Sequence, residues 1–133
     1  MAVCRGVNLN DEQLGKVSEL RPGNFVVRLR YPPDPCLLAL TVTYVEEDYS
    51  AGYARLRNPS LQALLYLTLT RQAAHAIEAS RGGDVIAVGS ATREGLSELL
   101  RTLGASPAEP IPLLSCDKDS LHRLSAHRLD LIR

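Results

Sequence analysis

"LQALLYLTLTRQAAHAI", residues 61–77, is the stretch whose reading decides the fold. Leu65-Tyr66-Leu67-Thr68-Leu69-Thr70 alternates as a half-buried strand would, yet "RQAAHAIEAS" (71–80) has the composition of a helix. The residues upstream arbitrate. Asn58 can cap free N–H groups, and Pro59 at the first helical position gives up only a donor that had no partner. Gly82-Gly83 supply the expected stop. The sequence therefore predicts one continuous, central, Leu-rich helix over 59–80. At 100° per residue Leu61, Leu65, Leu69 and Ala76 form one stripe, with Gln72 inside it. Leu64, Tyr66, Leu67, Ala73 and Ile77 widen the apolar face, and Arg71, His75 and Glu78 share one narrow polar strip. On this reading Gln72 is buried and requires a hydrogen-bond partner.

Working outward, Asp34-Pro35 repeats the same capping chemistry and starts a second helix, with Leu38, Val42, Val45 and Tyr49 on one face. Its acidic run Glu46-Glu47-Asp48 reads as a solvated face, or equally as one that meets a basic partner. "AVCRGV" (2–7) and "DVIAVGS" (84–90) are apolar strands, the latter interior. "NFVVRLRY" (24–31) is a third, with Phe25, Val27, Leu29 and Tyr31 on one face and Val26, Arg28 and Arg30 on the wetter one. "NDEQLGKVSEL" (10–20) and "TREGLSELLRTLG" (92–104) are helical. "AEPIPLLSC" (108–116) carries prolines two apart and so reads as an edge strand or extended loop. "DKDSLHRLSAHRLDLIR" (117–133) makes one or two short helices, with Ser125 available to cap the second. The fold class expected is α/β in the broad sense (α+β): a single domain over 1–133, with helices packed on a roughly four-stranded sheet.

Composition narrows function chiefly by exclusion. The net charge is zero, with thirteen arginines against two lysines, so nothing in the balance announces nucleic acid or a membrane surface. Cys4, Cys36 and Cys116 are odd in number and widely spaced. No disulfide framework is expected from them, and a reducing cytoplasm fits. The N-terminal residues lack a signal-peptide core, and no segment is apolar enough to span a membrane. His122 and His127, five apart, do not share a helical face, so no metal is expected. Phosphate-loop, dinucleotide and nucleophile-elbow motifs are absent, and no cofactor is implied. Cys36 at a helix start has the position of an activated thiol but the neighbours of a packing residue. These absences favour a binding or regulatory subunit over an enzyme.

Leu64-Leu65-Tyr66, Arg71-Gln72 and Ala76-Ile77, followed by "GGDVIAVGSATREGLSELLRTLGAS" (82–106), resemble the small subunit of the KEOPS complex, the archaeal relatives of the human PRPK-binding protein. The likeness covers roughly residues 34–104. It departs where an acid commonly precedes the Leu-Leu-Tyr, since Gln62 and Ala63 stand there. The resemblance implies a non-catalytic subunit in the machinery that places threonylcarbamoyl on tRNA adenosine. Such a subunit binds the small kinase/ATPase subunit and helps recruit tRNA by its 3′ CCA end.

Arg55, Arg57, Arg71 and His75, before and along the polar strip of the predicted helix, are then the candidate tRNA contacts. Leu121, Leu124, Leu129 and Ile132 crowd a terminal segment and are the candidate kinase-facing side chains. Two readings from other classes compete: a small cytosolic enzyme whose site the sequence hides, and a homodimeric structural protein packed through its apolar helices.

Overall fold

The expected helix over 59–80 is two helices with a sharp turn between them. The computed structural model of the chain describes residues 2–5, 7, 9–14, 24–105 and 117–132. In chain order the elements are β1 (Ala2–Arg5), α1 (Asp11–Leu14), β2 (Phe25–Leu29), α2 (Pro35–Ala51), α3 (Pro59–Leu67), α4 (Ala73–Ser80), β3 (Val85–Ser90), α5 (Arg93–Thr102) and α6 (Lys118–Ile132). Both Asx-Pro starts behave as their chemistry requires. Asp34 Oδ1 accepts from Cys36 N at 2.7 Å and Asn58 Oδ1 from Ser60 N at 2.9 Å.

What breaks the long helix is local. Thr70 N–H reaches back to the Leu65 carbonyl at 3.0 Å and Leu69 N–H to that of Tyr66 at 3.2 Å, the paired bonds of a Schellman stop. The residue such a stop holds in the left-handed region is usually glycine, and here it is Leu69, at φ 52°. Thr68 Oγ1 donates to the Leu64 carbonyl at 2.7 Å and lies 2.8 Å from Thr70 Oγ1, so the threonines that alternate in the sequence bind the turn rather than a ladder. The correction moves Gln72. It occupies the N-cap position of α4, exposed and not buried.

β3 lies between β1 and β2, antiparallel to both, with Val88 opposite Cys4 and Val26. The sheet thus has three strands among the described residues, not four. The fourth, expected over 108–116, falls outside them. Both faces of the sheet are covered. On one, Phe25, Val27, Leu29 and Ala87 pack with Leu38, Val42 and Val45 of α2, Ala63, Leu64, Leu65 and Tyr66 of α3, and Leu124 and Leu131 of α6. On the other, Val26, Ile86 and Val88 meet Leu96, Leu99, Leu100 and Leu103. Gly89 permits the first contact, because a Cβ there would fall 2.6 Å from Val42 Cγ2 and from Phe25 Cζ. At the sheet's edge Val26 N–H donates to the buried Ser60 Oγ at 3.0 Å. α6 is one unbroken helix, and Ser125 meets the Tyr44 hydroxyl at 2.9 Å rather than capping a second helix.

Candidate anion-binding cleft

Breaking the helix creates a concavity. Arg55 from the loop before α3, Leu69, Thr70, Arg71 and Gln72 from the turn, and His75 from the first turn of α4 line a cleft of about 460 Å³. Arg55 Nη1 donates to the Arg71 carbonyl at 3.4 Å, so the loop and the turn are tied across it. Gln72 provides no side-chain cap, and the N-terminus of α4 adds the partial positive charge of its N–H groups at the same place. Two guanidiniums, an imidazole and a helix N-terminus beside an apolar lip make a cleft suited to an anion carrying a flat or apolar group. Leu69, 49 % exposed, is that lip. It also lines a neighbouring hollow of about 110 Å³ with Leu37, Tyr66, Leu67, Ser120, Arg123 and Leu124.

Of the four residues expected to contact RNA, Arg55, Arg71 and His75 are together here. Arg57 is exposed in the same loop but does not line the cleft. The terminal leucines divide. Leu124 is in the core and is withdrawn as a surface anchor, Leu121 is half-buried, and Leu129 is 57 % exposed. The side chain of Ile132 lies outside the described residues.

Beneath the cleft is a polar network that helical spacing and composition did not single out. Asp48 is fully buried, contrary to its reading as part of a solvated acidic face. Its Oδ2 accepts from the Tyr66 hydroxyl at 2.5 Å and from Gln62 Nε2 at 3.1 Å, and its Oδ1 from Arg128 Nη2 at 3.2 Å. Gln62 Oε1 in turn accepts the backbone N–H groups of Arg55 and Leu56, each at 3.2 Å. The Asp48 carbonyl takes the N–H of Tyr53 at 2.7 Å and of Ala54 at 3.1 Å. The loop carrying Arg55 is held by Asp48 and Gln62, with the Tyr49 hydroxyl donating to the Leu56 carbonyl at 2.5 Å.

Electrostatics follow the geometry. Burial, then the bond to Asp48 and its charge, raises the Tyr66 hydroxyl well above the ordinary tyrosine value. Burial and Asp48 push Tyr49 up to about 12. Burial works to lower Arg128, but Asp48, Tyr66 and Glu47 outweigh it and hold the guanidinium charged. That guanidinium lies 4.5 Å from the Tyr44 ring centroid, and its buried Nε has no hydrogen-bond partner among the described residues. The signal for Asp48 was present: it follows Val45 by three on a helix whose buried positions are Leu38, Thr41, Val42 and Val45.

Cys36 is buried and disulfide-bonded. This corrects the expectation of unpaired cysteines and removes the cysteine argument for a reducing compartment. Among the described residues no group of three His, Cys, Asp or Glu side chains converges as a metal site, and no helix is long and apolar enough to cross a membrane.

The fold and cleft together define a mixed α+β domain with a small cationic cleft held by a buried ionic network. Compared with known proteins, no family model matches the chain and no curated protein matches its sequence.

Proposed function

We propose that the chain is a non-catalytic subunit of the KEOPS type, binding the small kinase/ATPase subunit and holding the 3′ CCA end of tRNA. One observation carries the reading. Arg55 and Arg71, sixteen residues apart, meet with His75 in one cleft beside an exposed leucine. A single-stranded RNA end offers the matching chemistry, phosphates for the guanidiniums and an unstacked base for the apolar lip.

The test is a fluorescence-anisotropy titration with intact tRNA and with the same tRNA trimmed of its CCA. Trimming should weaken binding by about tenfold or more, the loss of roughly one stacked base at 1–3 kcal/mol. Two neutralised phosphates give a slope of about −1.4 in log K against log salt. A folded Arg55→Ala/Arg71→Ala variant should flatten that slope. Equal affinity for intact and trimmed tRNA refutes the reading.

A further inference from the structure

We propose that His127 and Arg128, adjacent on α6, are the positioning residues of the cleft, each fixing one of its two cationic walls. The proposal rests on the RNA reading for its ligand but not for its geometry.

The Arg71 wall is the turn after α3. His127 Nε2 lies 3.2 Å from the Leu65 carbonyl and 2.9 Å from the Thr70 carbonyl. Both partners are acceptors only, so Nε2 carries the proton and donates to the two of them. Those carbonyls are the two ends of the Schellman stop, and Thr70 C=O belongs to the peptide that leads into Arg71. The Tyr66 ring stands edge-on to the imidazole at 87°, with centroids 6.3 Å apart. A leucine in the left-handed region persists only where its surroundings over-determine it, and His127 adds to the Schellman bonds and the Thr68 and Thr70 hydroxyls the one tie that comes from outside the turn's own segment.

The Arg55 wall is held at one remove. Arg128 binds Asp48, Asp48 binds Gln62, and Gln62 accepts the N–H groups of Arg55 and Leu56. Consecutive residues of one helix thus reach both walls. Packing alone does not require this, because Leu124 and Leu131 already bury α6 against the core. Arginine side chains on loose loops lose affinity to ordering entropy, and fixing their backbones removes that cost.

The experiment compares wild type, His127→Leu and His127→Gln by NMR amide exchange and by anisotropy with a CCA-ended RNA hairpin. In His127→Leu the Thr70 amide should exchange about tenfold faster or more, while amides of β3 keep their protection. RNA affinity should fall by about tenfold in the same variant. Glutamine, whose Nε2–H₂ can reach the same carbonyls, should restore both readouts, which a loss of bulk packing would not. Unchanged Thr70 exchange in a folded His127→Leu protein overturns the proposal. So does failure of glutamine to rescue. If wild type binds no RNA, the functional reading fails and exchange alone decides the positioning claim. Should His127→Leu not fold, His127→Asn, too short to span both carbonyls, carries the same expectation. If neither folds, His127 belongs to the core and the proposal is overturned.

Discussion

Leu69 holds a backbone conformation that costs a residue with a Cβ about 1–2 kcal/mol. Glycine would relieve that strain, offset by about 0.4–1 kcal/mol of extra freedom in the unfolded chain. Leu69→Gly should therefore leave thermal stability unchanged or slightly raised while weakening the proposed RNA binding, since the apolar lip is gone. A drop of more than about 2 kcal/mol, the range of a core leucine truncation, would show that packing rather than strain governs the site. The two glutamines make a second pair of expectations. Gln62→Ala strands the N–H groups of Arg55 and Leu56 and should cost about 1–3 kcal/mol, whereas Gln72→Ala should melt with wild type. Asp48→Asn breaks a buried ion pair and should cost about 3–5 kcal/mol. Urea denaturation ranks all three. Helical spacing assigned burial to Gln72, which is exposed, and did not single out Gln62, which is buried. Gln72 falls on the Leu65 stripe only if the helix runs unbroken over the seven steps from Leu65 to Gln72, and Leu69 interrupts it.

At the scale of elements, α6 is a helix with two assignments. Its inner face, Leu124, His127, Arg128 and Leu131, serves the core and the network, and its outer face carries Leu129. Among the described residues of α6, the outer face with Leu129 is what this helix offers to the proposed kinase subunit. Leu129→Glu should fold like wild type and lose kinase binding in a pull-down, because a charge enters a dry contact worth about 2 kcal/mol or more at a hot spot. Undiminished capture by a folded Leu129→Glu protein would move the interface elsewhere. The Asx-Pro starts of α2 and α3 and the Leu stripe of α5 were legible, because caps and periodicity are local chemistry. The α3–α4 turn was not. A Schellman stop normally advertises itself by glycine, and Thr-Leu-Thr gives no such sign.

At the scale of the molecule, the strands and the Phe25/Val27/Leu29 face could be read from alternation in β2 and the interior run of β3, but the strand order could not, nor could the second apolar face, where Val26 is buried under α5 rather than wet. The Asp48 network has the same character. Tyr66, Gln62 and Arg128 lie 18, 14 and 80 residues away from Asp48, and no spacing rule joins them. Its tyrosines predict an alkaline transition. A hydroxyl raised from 10.0 to about 12 in the folded state favours folding below the unfolded value. That stability is lost as pH rises from about 10 towards 12. Tyr66 shifts in the same direction. Absorbance from the tyrosinates of Tyr49 and Tyr66 should thus develop together with loss of circular dichroism. A titration in which all of it appears before any unfolding would contradict the buried network.

The residues that fix the cleft come late in the chain. His127 and Arg128 follow their partners Thr70 and Asp48 by 57 and 80 residues. A ribosome adding about 5–20 residues per second therefore exposes both arginine walls several seconds before the side chains that align them. During that interval the nascent protein holds the residues that line the cleft but not their arrangement. If the cleft binds RNA as proposed, competence to bind is acquired only as α6 docks.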